Sequence, residues 1–355
     1  MILEISFRFL FDTFLGVLVV VFLMIVAVLY FSLYQFKKLI LLLKWSTVIN
    51  DKVLNAIVYD GDFSTSADNL EPFSENSSFR DLFLEKLVDS EKKFSGAANE
   101  QINKLFTDYK LEKEAFNKIY QKKPSLIAGG IKELSAMRVQ KALPNIAVFL
   151  THPSPIVYQE AQYAMINLKG FDGLNFLNTI PNVISEWQQL RLLLSITDIP
   201  SGSEESIDLW LRSANDSVVV FTLRLLRKFQ LLSLYSSVLN LFNHRSDQVR
   251  IQAVETVQSL ENSTTIQHLT DSFKNQSEEV QVEIVRILKT SKDPRSIEFL
   301  KEQLTTHSLV KLRIFAAEAL LELDQKEYLI TLRKDSDSSN ELVQIINHAI
   351  QEKIC

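Results

Sequence analysis

A pattern of apolar positions recurs through the C-terminal two thirds of the chain at intervals near 31 residues. One copy, VRIQAVETV, begins at Val249. The copies VQVEIVRIL from Val280 and LRIFAAEAL from Leu312 place apolar and small residues at the same positions. Apolar residues spaced by threes and fours predict an amphipathic helix. Self-similarity at a period of roughly 20–50 residues is typical of repeat architectures. The pattern therefore predicts stacked helical units.

Each predicted unit begins at an apolar anchor residue, and successive anchors are 31, 33, 28, 31, 31, 32 and 30 residues apart. The anchors are Leu126, Val157, Leu190, Val218, Val249, Val280, Leu312 and Leu342. A second apolar segment lies between successive anchors, so each unit is predicted to be two antiparallel helices. The unit at Leu190 fits least well, because Asp198 falls where an apolar residue is expected. Trp187 is an equally good start by spacing.

Turn and cap residues support this division of the chain. Asp293–Pro294 pairs an N-cap residue with a proline at the first helical position. Asp247 is expected to cap the helix that contains Val249. Pro144 falls inside an expected helix, where we predict a kink or a break. Gly129–Gly130 is expected to allow close helix packing in the first unit.

The N-terminal region contains 22 uncharged residues from Thr13 to Tyr34. As a helix this stretch is about 33 Å long, enough for a hydrocarbon core of about 30 Å. It predicts a transmembrane helix over residues 13–36. A signal peptide is the alternative, but Phe31–Ser32–Leu33–Tyr34 is not a small-x-small cleavage site. Four lysines follow the span and place the C-terminal side in the cytoplasm; they are Lys37, Lys38, Lys44 and Lys52.

The remaining segments differ in composition. Residues 1–12 are a short flank, and residues 37–59 either lie along the membrane surface or continue the spanning helix. Residues 60–78 hold five acids and six Ser or Thr without Lys or Arg, and predict an acidic flexible linker that holds the domain off the bilayer. Residues 79–123 predict a helical cap or a short coiled coil, and residues 124–355 the repeats.

The best-formed repeat resembles a known family. The motif Asp247–x–Val249–Arg250 followed by Ala253 resembles the HEAT repeat, and the aliphatic–Arg pair returns at Leu312–Arg313 and Leu190–Arg191. The period near 31 is similar to that of the short HEAT-like repeats of phycobilin lyases. The resemblance covers roughly residues 110–355. It implies an all-α protein whose membrane helix is followed by a right-handed α-solenoid of about 7–8 HEAT-like helix pairs, and it implies an architecture rather than an activity.

Charge and residue usage exclude several functions. A net charge of −5 and a pI of about 5.7 argue against a nucleic-acid binder, which needs a basic face. The single cysteine, Cys355, excludes an intrachain disulfide and multi-cysteine metal sites. His152, His244 and His307 each lie five residues before an anchor. Helices two or three repeats apart are roughly 20–30 Å apart, too far to share a metal ion. We therefore interpret these histidines as turn residues.

The sequence predicts no catalytic, cofactor or metal site. Five arginines on successive second helices are candidates for a basic partner-binding row, because these helices commonly line the concave face of a solenoid. They are Arg191, Arg224, Arg250, Arg286 and Arg313. The alternative is a solvated face in which Glu255, Glu283 and Glu318 are interspersed.

The leading hypothesis is a single-pass protein of the inner membrane whose solenoid faces the cytoplasm. It would contact the lipid bilayer through residues 13–36 and act as a scaffold or adaptor for a protein partner, without catalysis, cofactor, metal or nucleic acid. Two alternatives stay open. One is an enzyme or enzyme subunit of the phycobilin-lyase type, which the resemblance implies. The other is an outward-facing scaffold of an envelope complex.

Overall fold

A computed structural model of the chain describes residues 7–58, 70, 73–260, 262–335 and 339–352. Over these ranges the protein is all-helical, with α-helices, short 3₁₀ segments and no strand, as the apolar periodicity predicts. The chain forms two compact units. Unit 1 is Met1–Ala164 and unit 2 is Met165–Cys355.

Within its described residues, unit 1 contains six complete α-helices and the first part of a seventh. They are α1 (Phe7–Val58), α2 (Ser77–Glu91), α3 (Ala97–Asp108), α4 (Glu112–Ile119), α5 (Pro124–Ala136), α6 (Leu143–Ala147) and α7 (Pro155–Lys169). Pro144 lies in the first turn of α6, between the 3₁₀ segments Gln140–Ala142 and Val148–Thr151. The expected long helix is therefore broken here, because proline fits the first turn of a helix but not its interior.

Helix α1 is a single helix of 52 residues, so the juxtamembrane segment continues the apolar helix. Its large apolar side chains from Phe9 to Leu43 are exposed, except that of Leu42, which is half-buried. Beyond them, Trp45, Ile49 and Val53 are buried. Residues four apart lie on one face of a helix, and this face of α1 contacts α2 and α3. The C-terminal part of α1 is thus part of the core of unit 1.

An aromatic cluster holds α1 in place. The Trp45 ring meets Phe79 edge-on with centroids 5.6 Å apart, and Phe73 at 6.2 Å. Phe79 also contacts Phe83 at 6.2 Å. Edge-to-face aromatic pairs of this kind add to the stabilisation that burial provides.

These contacts correct the prediction of a linker over residues 60–78. Residues 60–69, 71 and 72 lie outside the described residues, but Leu70 is buried, Phe73 packs on Trp45, and α2 begins at Ser77. Residues on both sides of the acidic stretch belong to the same packed unit, so the stretch does not separate the apolar helix from the domain. The composition of the stretch is acidic and polar, yet Leu70 within it is buried and Phe73 packs on Trp45.

Residues 79–123 include most of α2 and all of α3 and α4, and α2 packs against both α3 and α4 inside unit 1. The Arg80 guanidinium donates to the Glu114 carboxylate at 2.5 Å, and to the carbonyls of Ser74, Tyr109 and Lys110. It thereby fixes the turn between α3 and α4, where Lys110 has a φ of 50°. A buried three-helix arrangement does not fit the coiled-coil alternative.

Gly130 allows α5 to lie close against α4, as predicted. A Cβ atom at this position would lie 2.6 Å from the Ala115 carbonyl oxygen and 2.8 Å from Ile119 Cγ2. Gly129 has no such neighbour within 4 Å. The first predicted anchor of this region, Leu126, is exposed, and the neighbouring Ile127 is buried instead.

In the described part of unit 2, a 3₁₀ segment, Gly170–Asn178, is followed by eleven α-helices, with further short 3₁₀ segments between some of them. They are α8 (Glu186–Ser195), α9 (Glu204–Leu211), α10 (Asp216–Phe229), α11 (Tyr235–Asn240), α12 (Asp247–Ser259), α13 (Thr265–Ser272), α14 (Glu278–Ser291), α15 (Ile297–Thr306), α16 (Val310–Glu322), α17 (Lys326–Lys334) and α18 (Asn340–Glu352). From α9 onward, the helices form successive pairs of a first and a second helix. Each second helix contacts the second helix of the following pair, in the order α10, α12, α14, α16 and α18.

The anchors explain this packing. Val218, Val249, Val280 and Leu312 are fully buried, as are the fourth and eighth residues after each of them. Buried residues at this spacing form one stripe along a helix. The predicted register of these units is therefore confirmed.

The predicted anchor Leu190 is wrong by two residues. It is 47% exposed, whereas Gln188 is 3% exposed and Leu192 and Ile196 are fully buried. Gln188 therefore holds the anchor position of α8, 31 residues after Val157. Apolar residues were expected at buried positions, and here the buried position holds an amide.

The three repeated histidines are turn residues, as predicted. Nδ1 of His152 accepts a hydrogen bond from the Ser154 backbone N–H at 3.1 Å. His244 and His307 do the same for the residue two positions later, also at 3.1 Å. A neutral imidazole is required for this bond. Burial lowers the pKa of His307, which favours that neutral form.

The two predicted N-caps have different outcomes. The Asp293 carboxylate accepts from the Arg295 N–H at 2.9 Å, with Pro294 next to it, as expected. The N-cap of α12 is Ser246, and Asp247 is the first helical residue. Its carboxylate binds Arg250 instead, and this bond lowers the pKa of Asp247.

Candidate functional site

The five predicted arginines do not form one row. Counted from the anchor of each second helix, Arg250 and Arg313 lie one residue after it, and Arg224 and Arg286 lie six after it. Arg191 lies three residues after Gln188. Positions one and six are five residues apart, which is about 140° around a helix. The basic row is therefore divided over different helix faces.

Two of the arginines, Arg313 and Arg250, form hydrogen bonds to neighbouring helices. Arg313 is buried, and it donates to the Leu304 carbonyl at 2.9 Å and to the Glu341 carboxylate at 2.6 Å. Arg250 pairs with Asp247 and also reaches Gln276 Oε1 at 3.3 Å. Such groups hold neighbouring helices together and are poorly placed to meet a partner.

The more exposed arginines are paired with acids. Arg286 binds Glu283 and lies 3.7 Å from Glu255. Arg224 lies 3.4 Å from Glu186. The sixth position alternates in sign along four successive second helices; its residues are Arg224, Glu255, Arg286 and Glu318. This face is internally neutralised, which matches the alternative of interspersed acids. Exposed ion pairs of this kind contribute little binding energy.

Helix α8 departs from this pattern on the same face. Its sixth position holds Leu194, which is 73% exposed. The position before the anchor holds Trp187 in α8, 75% exposed, and Ile156 in α7, 53% exposed, whereas it is polar in the other units. With Leu190 these side chains form an exposed apolar stripe on one side of the helix. The other side buries two glutamines, so α8 is inverted relative to an ordinary amphipathic helix.

Hydrogen bonds make this inversion possible. The Gln189 amide donates to the Ile184 carbonyl at 3.0 Å, and its Oε1 accepts from Arg224 Nη1 at 3.0 Å. A buried amide with both partners carries a small net cost. The tertiary contacts, and not the hydrophobicity of the sequence, therefore decide which side of α8 faces inward.

A cleft of about 780 Å³ opens beside the start of α8. Its walls come from residues 177–181 and Val183, from the end of α9 with the turn after it, from the start of α10, and from Arg245 and Gln248 around the start of α12. The cleft is present because the 3₁₀ segment Gly170–Asn178 and the irregular backbone after it stand where the other repeats have an α-helix. Gly173 permits that path, since a Cβ there would lie 2.3 Å from the Met165 carbonyl oxygen.

Polar side chains hold the walls of the cleft. Trp210 Nε1 donates to Asn178 Oδ1 at 2.7 Å, and Asn215 Nδ2 donates to the Asn182 carbonyl at 3.0 Å. Ser217 Oγ accepts from the Ile184 N–H at 2.9 Å. These groups are engaged in shaping the loop. Among the described residues, no group of three or more His, Cys, Asp and Glu side chains is placed to hold a metal ion.

Two exposed arginines stand at the cleft. Arg212 pairs with Asp208. Arg245 Nη2 donates to the Ala214 carbonyl at 3.1 Å and to Asp216 at 3.2 Å. The charged lining consists of the two arginines and Asp216, and Asp208 and Asp216 each stand beside one of the arginines. The positive charges at the cleft are therefore neutralised by neighbouring carboxylates.

An exposed valine, Val183, lies just before α8 begins at Glu186. It lines the cleft, is 74% exposed, and lies four residues before Trp187. We call the exposed apolar side chains of α8, which are Trp187, Leu190 and Leu194, the α8 face. Sequence reasoning missed it because Leu190 was taken as a buried anchor. Choosing Gln188 as the anchor by spacing alone would have revealed it.

Comparisons with known proteins complete the description of the site. No protein-family model matches the chain, and no curated protein matches it. Among solved structures, an engineered protein is 14% identical with a TM-score of 0.31, covering 87% of this chain and 99% of its own. Human deoxyhypusine hydroxylase in complex with glycerol is 14% identical with a TM-score of 0.29, covering 78% and 97%.

The complex of CpcE and CpcF of phycocyanin lyase from Nostoc sp. PCC7120 is 12% identical with a TM-score of 0.25, covering 82% of this chain and 97% of that one. The neighbours thus include HEAT-like helical repeat proteins. Likenesses at these scores carry no conclusion about the function of this chain.

Proposed function

We propose that the chain is a membrane-anchored helical-repeat adaptor that binds a protein partner. The observation that carries the anchor is the exposure of α1, which is long and apolar enough to span a bilayer and has none of its most apolar window buried. Each large apolar side chain left in water costs about 1.5–3 kcal/mol relative to burial. More than twenty lie exposed between Phe9 and Leu43, a cost on the order of tens of kcal/mol that a bilayer would remove.

The repeats would form a right-handed α-solenoid, as the sequence predicts for residues 124–355. The buried anchors of unit 2 and the contact of each second helix with the next support this arrangement there. In a solenoid each repeat contacts mainly its neighbours, which leaves an extended surface for a partner.

Lysines on the C-terminal side of the apolar helix support a cytoplasmic position for the repeats in a single-pass protein of the inner membrane. The adaptor would work by confining its partner to the membrane plane and raising its effective concentration. Because Trp45 packs α1 into unit 1 directly after the exposed stretch, the reach of this unit would be short and fixed.

Binding without catalysis, metal or cofactor is part of the proposal. Its support is the use of the polar side chains around the cleft as structural hydrogen-bonding groups. A lyase-like enzyme would be favoured instead by a pigment that copurifies with the protein, or by attachment of a chromophore in its presence.

Membrane anchoring is tested by alkaline carbonate extraction of cell membranes. The full chain should stay in the pellet, whereas Phe22→Lys with Ile25→Lys should be released, because two charges in the span oppose insertion. Release of the unaltered chain would exclude the anchor.

Orientation is tested with the single cysteine. Cys355 should react with a membrane-impermeant maleimide only after the cells are opened. A Cys355→Ser chain that carries Ser6→Cys is the matched control and should react in intact cells. The reverse result would favour the outward-facing alternative. Crosslinking in intact membranes should then capture another protein, and capture of this chain alone would contradict the adaptor.

A further inference from the structure

We propose that residues 37–44 of α1 bind anionic diacyl phospholipids where the apolar helix leaves the bilayer, through Lys37, Lys38 and Lys44 and the leucines between them. We call residues 37–44 the basic segment of α1. This inference rests on the proposed membrane anchor and gives the chemistry of the lipid around it.

The first argument is the length of the exposed apolar surface. Exposed apolar side chains extend from Phe9 to Leu43, which is about 52 Å of helix at roughly 1.5 Å per residue. The hydrocarbon core is about 30 Å thick, and the whole bilayer with its headgroup regions is about 40–45 Å thick. The uncharged part of α1 ends at Phe36. A span over residues 13–36 therefore leaves the basic segment in the headgroup layer.

The second argument is the arrangement of the basic segment. Helix α1 is unbroken to Val58, so the segment continues in the direction of the span instead of turning along the membrane surface. Lys37 and Lys44 are seven residues apart, which places them about 10 Å apart along nearly the same side of the helix. Leu39 and Leu43 are exposed between them. A surface with both apolar and cationic groups fits a lipid, whose acyl chains and phosphate can meet both, better than a free phosphate ion.

The third argument is that these charges are uncompensated. Within the ranges that the structure describes, none of Lys37, Lys38 and Lys44 has an ion-pair partner. In the same unit the Lys118 ammonium, by contrast, pairs with the Glu133 carboxylate at 2.6 Å. A second copy of the chain would bring the same lysines together, and like charges repel. An anionic headgroup is therefore favoured over self-association as the occupant of this segment.

The packing of unit 1 keeps these charges at the bilayer surface. Trp45 directly follows the basic segment and packs against Phe73 and Phe79. The helices of unit 1 over residues 79–142 hold thirteen Lys and Arg against nine Asp and Glu, in a chain whose net charge is −5. Those cations that lie within a Debye length of about 8–10 Å from the headgroups would add to the attraction for anionic lipid.

The test measures lipid selectivity directly. The full chain is reconstituted in phosphatidylcholine vesicles that contain a trace of spin-labelled lipid, either phosphatidylglycerol or phosphatidylcholine, labelled near the top of an acyl chain. Electron spin resonance gives the fraction of label that the protein immobilises. The ratio of the two association constants is the selectivity for the anionic headgroup. Both leaflets have the same composition, so the direction of insertion does not affect this ratio.

Phosphatidylglycerol should be preferred about five- to tenfold at low salt, because each lysine near an anionic headgroup contributes about fivefold in affinity and the lipid shell averages over several positions. Changing Lys37, Lys38 and Lys44 together to Gln should bring the ratio close to one. Changing the same three to Arg keeps the charge and should keep the preference. Lys326→Gln with Lys334→Gln, two exposed lysines of α17, is the control for net charge and should leave the ratio unchanged.

Equal immobilisation of both lipids by the unaltered chain at low salt would overturn the inference, and this result is expected if the acids of residues 60–78 neutralise the segment. A preference that survives the triple Gln change would place the lipid site elsewhere. Salt at about 1 M shortens the Debye length to about 3 Å, so an undiminished preference at this salt would contradict the electrostatic basis.

The source of the phosphate has its own control. Inorganic phosphate should not displace the labelled phosphatidylglycerol at matched ionic strength, and displacement would show a site for free phosphate instead of lipid. The anchor itself has a separate readout in carbonate extraction. Release of the unaltered chain contradicts the anchor, whereas a retained chain without lipid preference contradicts this inference alone.

Discussion

Ala253 offers a stringent test of the repeat packing. It is fully buried on α12, four residues after the anchor Val249, and α12 contacts both α10 and α14. The same position holds the buried residues Thr222, Ile284 and Ala316 in neighbouring units. The change Ala253→Asp places a carboxylate in this seam, where a charge would be costly to bury without a partner.

The magnitude follows from the protonation of that carboxylate. Keeping an aspartic acid neutral at pH 7, about three units above its ordinary pKa, costs about 4 kcal/mol at 1.36 kcal/mol per unit. This is the expected extra destabilisation relative to Ala253→Asn, which has the same shape without the charge. In a unit of roughly 190 residues, about 4 kcal/mol lowers the melting temperature by about 8–16 °C.

The pH dependence has a definite sign. Burial raises the pKa of the new carboxyl group, so the folded state binds more protons than the unfolded state between the two pKa values. The extra destabilisation should therefore shrink by about 1.4 kcal/mol for each pH unit below 7. The Ala253→Asn chain should show no such recovery relative to the unaltered chain.

The assay is thermal unfolding of the full chain in detergent micelles, followed by far-ultraviolet circular dichroism at pH 5, 6 and 7. The three chains are compared at each pH, so that titration of other groups cancels. Melting temperatures of the Asp and Asn variants within about 2 °C of each other at pH 7 would refute the buried seam, and with it the assigned register.

Three further predictions concern single side chains. Gly130→Ala should destabilise the protein by about 1–3 kcal/mol through overpacking, whereas Gly129→Ala should stabilise it by about 0.5–1 kcal/mol. Thermal melts in which Gly130→Ala is the more stable of the two would contradict the close approach of α5 to α4. Because folding lowers the pKa of His307 below 6.5, the neutral imidazole should stabilise the fold fully above pH 6.5, and this contribution should be lost as the pH falls towards the lowered pKa. His307→Asn should flatten that part of a stability–pH curve measured by denaturant titrations. An unchanged curve would show that the imidazole does not titrate with folding. Trp45→Ala should cost about 3–5 kcal/mol and expose the end of α1 to limited proteolysis, and an unchanged cleavage pattern would mean that α1 is not held by this contact.

Helical repeats were predictable because their signals are local. Val218, Val249, Val280 and Leu312 each begin a series of buried residues at helical spacing. Packing against the neighbouring copy of the same unit is enough to bury these residues. Turn residues such as His244 were also predictable, since their hydrogen bond is made to the backbone two residues away. The apolar helix follows from length and hydrophobicity in the same way.

Partners distant in sequence decided the rest. The arginines looked like a row until the helices placed an acid beside each exposed one, as with Arg286 and Glu255. The acidic stretch before α2 looked like a spacer because only the tertiary structure shows Phe73 meeting Trp45.

Helix α8 shows most clearly which features the sequence determines and which the tertiary structure decides. By hydrophobicity alone, Leu190 belongs inside and Gln189 outside. The structure reverses them because the Ile184 carbonyl and Arg224 satisfy the Gln189 amide, which removes most of the cost of burying it. Sequence determined that a helix forms here and how often the pattern repeats. Tertiary structure determined which side of this helix is exposed, because a hydrogen bond to a residue 35 positions away leaves no periodic signal in the chain.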